Sequence, residues 1–140
     1  MIKKIDHIGI AVDNLEEQMH FYEDVLGLSC EGIEEVADQK VRVAIFPVGE
    51  VRIELLEPLS EESPIAKFIA KRGTGIHHMA YCVTDLDGTL KSFKERMIRL
   101  IDDEPRIGAG GHKIAFLHPK STSGVLTEMC EESEANHGTN

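Results

Sequence analysis

Apolar and other side chains alternate along residues 5–12 and again along residues 75–83, and the two stretches carry the same pattern. A period of two marks a strand whose alternate side chains share a face. Ile8, Ile10 and Val12 fall on one face, as do Met79, Tyr81 and Val83, and both sets are bulky enough to pack beneath a helix. His7, Gly9 and Ala11 fall on the other face, as do His78, Ala80 and Cys82. The pattern therefore predicts cores under the bulky faces and a cavity along the small ones. Helical spacing follows each strand. Leu15, Met19, Tyr22, Val25 and Leu26 predict a helix over 14–26, with Asp13 as its cap, Glu16 completing a capping-box variant and Gly27 as its stop. Leu86, Leu90, Phe93 and Met97 predict a second helix over 85–98, against a cost of about 1 kcal/mol for Gly88 near its first turn.

The remaining apolar runs complete a repeat. A polar interval leads to a strand at 41–46, a turn at 47–50 and a strand at 51–56 closed by Pro58; residues 113–117 and 125–129 answer them in the second half. Between the halves, Ser63-Pro64 has the arrangement of a cap followed by a first-turn proline, with Ile65, Phe68 and Ile69 as the apolar stripe and Gly73 as the stop. His78 stands 71 positions after His7 in a chain of 140, so one unit is written twice. The expected architecture is α+β: tandem βαβββ units, about 4–59 and 75–131, linked by a short helix at 64–72. Together they would form a curved, half-barrel-like mixed sheet with helices outside and a metal site in the cavity. Residues 1–131 would make a single domain, and 132–140, polar and acidic, a disordered tail.

Composition narrows the partners. A formal charge of −10 argues against a nucleic-acid or anionic-membrane binder, which needs a basic face. Cys30, Cys82 and Cys130 are odd in number and widely spaced, which suits reduced, packed cysteines in a cytoplasmic protein, and no apolar run approaches a membrane span. The chemistry lies in the repeat itself. On strand parity Glu54 shares a face with Arg52 and Leu56, and Glu128 superposes on Glu54 once a turn three residues longer is allowed. His7, Glu54, His78 and Glu128 thus form a duplicated nitrogen and oxygen donor set suited to Mn, Fe, Co, Ni or Zn. His77 must point away from His78, and His118 beside Pro119 reads as structural or near the cavity rim. The glycine-rich stretch at 107–112 lacks the spacing of a phosphate-binding loop and reads as a turn.

The βαβββ repeat and the set His7, Glu54, His78, Glu128 resemble the vicinal oxygen chelate superfamily of glyoxalases, bleomycin resistance proteins and dioxygenases. Within it the segments 6–12, 54–59, 63–68, 75–78, 103–108, 118–121 and 124–126 are most similar to the methylmalonyl-CoA epimerases. The resemblance implies a homodimeric isomerase acting on an acyl-CoA, with all four residues on one divalent ion (Co, Mn, Ni or Zn, cobalt favoured) and Glu128 as one of two acid/base groups. Some relatives carry the second as a glutamate at the position aligned here with Val43, which leaves Glu54, Gln39 or a water for that role. Glyoxalase I, which is similar in having the same ligand order, is the competing enzyme, and a metal-free small-molecule binding protein the competing non-enzyme.

Overall fold

The computed structural model describes residues 1–108 and 111–132. Ala109 and Gly110 of the glycine-rich stretch, and residues 133–140 of the expected tail, lie outside them. The chain divides into two compact units, His7–His77 on one side and Met1–Asp6 with the described residues from His78 onward on the other. The division falls immediately before each of the two histidines.

The first unit holds the end of β1 (Ile2–Ala11), helix α1 (Leu15–His20), β2 (Gly32–Val36), β3 (Val41–Val48), β4 (Val51–Pro58) and helix α2 (Pro64–Arg72). Its strands lie in the order β2-β3-β4-β1, with β1 parallel to β4 and the others antiparallel. The second holds most of β5 (Gly75–Val83), helix α3 (Leu86–Glu95), β6 (Arg106–Ile107), β7 (Lys113–Leu117) and β8 (Leu126–Glu131), in the order β5-β8-β7-β6. There β5 runs parallel to β8 and the rest are antiparallel, so the βαβββ repeat and the mixed pairing are as expected.

Each unit has a core on the bulky face of its first strand. Val12 and Ile10 pack with Leu15, Met19 and Tyr22 of the first helical segment and with Phe46 and Leu55. Val83 and Tyr81 pack with Leu86, Leu90 and Phe93, and with Met129 and Leu117. Beyond His20 the first helix widens into a π turn at Phe21–Val25, and Gly27 ends it at φ 73°, a conformation that suits glycine.

Four sequence expectations need correction. The second helix stops at Glu95, and Met97, expected on its apolar stripe, takes φ 61° beyond the helix end and is exposed. Asn14, not Asp13, caps α1: its backbone is extended (φ −137°) and its side chain accepts from the Glu17 N–H. Glu16 does not complete a capping box but meets Arg42. The interval before residue 41 contains β2, whose central Ile33, Glu34 and Glu35 are exposed because the strand is at the sheet's edge and paired to β3 alone. The small-residue faces are also not open along their whole length. Ala11 is sealed in a cluster with Val41, Val43, Ile45, Leu56 and Ile65, against which Phe68 and Ile69 of α2 pack. Ala80 and Cys82 are sealed against Cys130 and Ile114.

Candidate metal centre

Strand register builds two equivalent half-sites. In the first unit Gly9, Glu54 and Ile45 lie in one row across β1, β4 and β3, with Ala11, Leu56 and Val43 in the next. In the second, Ala80, Glu128 and Phe116 form the matching row across β5, β8 and β7, with Cys82, Cys130 and Ile114 beside it. A row position shares its face across strands. Each glutamate therefore stands on the face of its histidine and next to a residue with little or no side chain.

The donors are close within each half. His7 Nδ1 lies 3.7 Å from Glu54 Oε2, and Arg52 Nη2 lies 3.6 Å from the same oxygen. His78 Nε2 lies 3.8 Å from Glu128 Oε1. Both separations exceed hydrogen-bond length. They match two ligands on one ion, since donors about 2.1 Å from a metal are themselves roughly 3.0 to 4.2 Å apart. His7, His78 and Glu128 are buried. Glu54 is half-buried. In each half an imidazole with a carboxylate, and no thiolate, suits a catalytic transition metal better than a closed structural zinc.

The other histidines sort as the spacing suggested. His77 packs edge-on to Phe68, 4.9 Å between ring centres, and burial lowers its pKa. His118 caps the short turn Pro119–Ser121, Nδ1 accepting from the Lys120 N–H at 3.1 Å. Val43, where some relatives were expected to carry an acid/base, is 6% exposed within the Ala11 cluster and offers no such group. Gln39 lies in an exposed turn, where its carbonyl accepts from the buried Ser63 hydroxyl at 3.0 Å. Among the described residues none of the three cysteines is in a disulfide.

One duplicated function escaped the sequence reading. Glu57 lies three residues beyond Glu54, on the opposite face of β4, and its Oε2 accepts from the Leu15 N–H at 2.8 Å at the start of α1. Glu131, three beyond Glu128, does the same for Leu86 at 3.3 Å at the start of α3. Each last strand thus carries a Glu-x-x-Glu pair, one carboxylate in the site and one tying the strand to its unit's helix. The repeated spacing was visible in the sequence and would have identified the pair.

This architecture and donor set place the chain in a family. Residues 6–116 match the profile of the Glyoxalase/Bleomycin resistance protein/Dioxygenase superfamily, and the chain belongs to it. The chain is 45% identical to the uncharacterised protein YqjC of Bacillus subtilis, over 97% of each. It is 39% identical to the ethylmalonyl-CoA/methylmalonyl-CoA epimerase of Cereibacter sphaeroides, over 92% of this chain and 98% of that protein. A Streptomyces coelicolor methylmalonyl-CoA epimerase variant, solved with 2-nitronate-propionyl-CoA, superposes with a TM-score of 0.88 at 37% identity, over 95% of this chain and 96% of that one. Among the described residues no helix is long and apolar enough to cross a membrane.

Proposed function

We propose that this chain is a metal-dependent epimerase that interconverts the two configurations of methylmalonyl-CoA by removing the α-proton from one face of the acyl group and returning one to the other. The observation that carries the reading is the duplicated half-site, a buried histidine with a glutamate 3.7 Å away in one unit and 3.8 Å away in the other. The names of the relatives point to the same substrate class. His7, Glu54, His78 and Glu128 would hold one divalent ion, which when bound supplies Lewis acidity to an oxygen next to the acidic C–H.

The rest falls to the chain's own side chains. Racemisation at one carbon needs a proton acceptor on each face, and a duplicated unit presents its carboxylates in pairs. Glu128 takes or returns the proton on one face. Of the candidates for the other face, Glu54, Gln39 and a water, Glu54 is the one we assign, since Val43 is apolar and sealed, Gln39 lies in an exposed turn, and a water would itself need a carboxylate to take its proton. The residues beside them, Ala80 and Gly9, set little or no side chain next to each carboxylate.

The test is proton NMR of methylmalonyl-CoA in deuterated water. Purified protein should wash deuterium into C2 of both configurations, whereas the glutathione hemithioacetal of methylglyoxal should be left unconverted. Turnover of the hemithioacetal without exchange at C2 would assign the chain to glyoxalase chemistry instead. Metal-free protein that binds either compound without converting it would assign a binding role.

A further inference from the structure

Along the site face one cross-strand position carries opposite charges in the two units. In the first unit Glu34 of β2 is the register partner of Val43. In the second unit the partner of Ile114, which corresponds to Val43, is Arg106 of β6. Ile114 packs with Ala80, Cys82 and Cys130, so a paired position that shares its face puts Arg106 on the side that carries His78 and Glu128.

The guanidinium is fixed there rather than loose. Asp102 Oδ2 accepts from the Phe116 N–H at 2.8 Å and lies 3.3 Å from Arg106 Nε. The guanidinium carbon sits 5.0 Å from the centre of the Phe116 ring. Phe116 is in turn the register partner of Glu128 and meets His78 edge-on, with 6.4 Å between ring centres. One aromatic ring therefore separates a positioned cation from a candidate ligand histidine, while 49% of the Arg106 side chain remains exposed. An arginine held at Nε and by an aromatic face still has amino donors suited to bidentate capture of an oxyanion. A chain of formal charge −10 repels an anionic substrate unless a metal ion or a local cation such as this one meets it.

We propose that Arg106 binds an anionic oxygen group of the substrate, the acyl carboxylate or a phosphate of coenzyme A; this rests on the acyl-CoA reading above. The test is calorimetric binding of methylmalonyl-CoA, and of methylmalonyl-pantetheine, which keeps the carboxylate and lacks the coenzyme phosphates. Wild type, Arg106→Gln and Arg106→Lys are compared, with thermal unfolding of each as a check on the fold. Arg106→Gln should weaken methylmalonyl-CoA about 10- to 100-fold with little change in unfolding, and Arg106→Lys should recover part of the loss. A loss shared by both ligands identifies the carboxylate, and one confined to the coenzyme A ester identifies a phosphate. Equal binding by wild type and Arg106→Gln overturns the assignment, as does a loss matched by unfolding that lysine does not relieve. Wild type that binds neither ester and exchanges no α-proton would remove the acyl-CoA reading and Arg106 with it, whereas wild type that binds and exchanges isolates the failure to Arg106.

Discussion

Removing the carboxylate of Glu57 should cost more than removing its counterpart Glu131, and the difference can be worked from their contacts. Glu57 Oε2 accepts from Leu15 N–H at 2.8 Å, while Oε1 accepts from Arg42 Nη2 at 3.0 Å. Losing the bond at the helix start is comparable to losing an N-cap, about 1 kcal/mol. Arg42 is only 26% exposed, and of its carboxylate partners Glu57 and Glu16 the loss of the first leaves Glu16, a residue 64% exposed. Its Nε is buried without a hydrogen-bond partner, so the guanidinium has little slack in its bonding. Weakening that half-buried pair adds roughly 0.5 to 1.5 kcal/mol, discounted for screening. Glu57→Ala should therefore destabilise by about 1.5 to 2.5 kcal/mol, a fall of roughly 5 to 10 °C in midpoint for a domain of this size. Glu131 makes a longer bond to Leu86, 3.3 Å, and a 3.9 Å pair with half-exposed Lys113, so Glu131→Ala should cost under about 1 kcal/mol. Glu57→Gln retains an acceptor oxygen and should fall between wild type and Glu57→Ala. Urea unfolding followed by circular dichroism measures all three. A Glu131→Ala loss equal to or above that of Glu57→Ala would refute the reasoning, as would Glu57→Ala indistinguishable from wild type.

Other outcomes follow from the site and its surroundings. Glu128→Gln should lower epimerisation by about 10²-fold or more, with α-proton exchange lost for one configuration and partly kept for the other. Glu54→Gln should show the opposite preference, and equal loss for both configurations in each variant would count against one carboxylate per face. Chelation should abolish exchange and leave the circular dichroism spectrum intact, because a domain of this length buries enough surface to fold without the ion; cooperative unfolding on chelation would make the ion structural. The Arg42 guanidinium bonded to Glu16 holds that carboxyl below its usual range. A depressed carboxyl contributes stability above its unfolded value, near pH 4.5, and loses it as pH falls through the folded one. The stability gap between wild type and Arg42→Met should accordingly shrink between about pH 5 and pH 3, and a gap that widens on acidification would reverse the assigned sign.

What could be read from the sequence depended on how far each feature is settled within its own segment. The faces of β1 and β5 follow from parity, and the cap at Ser63 with its stop at Gly73 follows from local backbone chemistry: Ser63 accepts from the Ile65 N–H, and Gly73 takes φ 80°. Asp13 and Asn14 are adjacent and both suitable caps, so the choice fell to whichever residue took the extended backbone at the end of β1. Gly88 looked like a flaw in α3. A Cβ there would collide with Asp85 Oδ2, and that side chain accepts from the Gly88 N–H, so the glycine lets the cap close over the first turn. β2 could not be read because its residues carry no buried alternation of their own, and its strand conformation is imposed by β3.

The site separates these two kinds of information. Parity alone puts His7 and Glu54 on the face of Gly9 and Leu56, but parity holds for any sliding of β4 along β1 by two residues. Register decides which residue the carboxylate stands beside, and it is set by the turns. β3 and β4 are joined at Gly49, φ 62°, through a turn that pairs Val48 with Val51. β7 and β8 are joined through the longer Pro119–Ser121 turn, which accounts for the three extra residues between Glu54 and Glu128 beyond the 71 that separate the histidines. Despite those unequal turns, Glu54 lands beside Gly9 and Glu128 beside Ala80, each two residues past its histidine. A turn length altered by one residue would carry the carboxylate to the helix face, where Glu57 and Glu131 already stand. The extra three residues therefore preserve the site by keeping each Glu-x-x-Glu pair in phase with its own strand, one carboxylate toward the histidine and the other at the helix start.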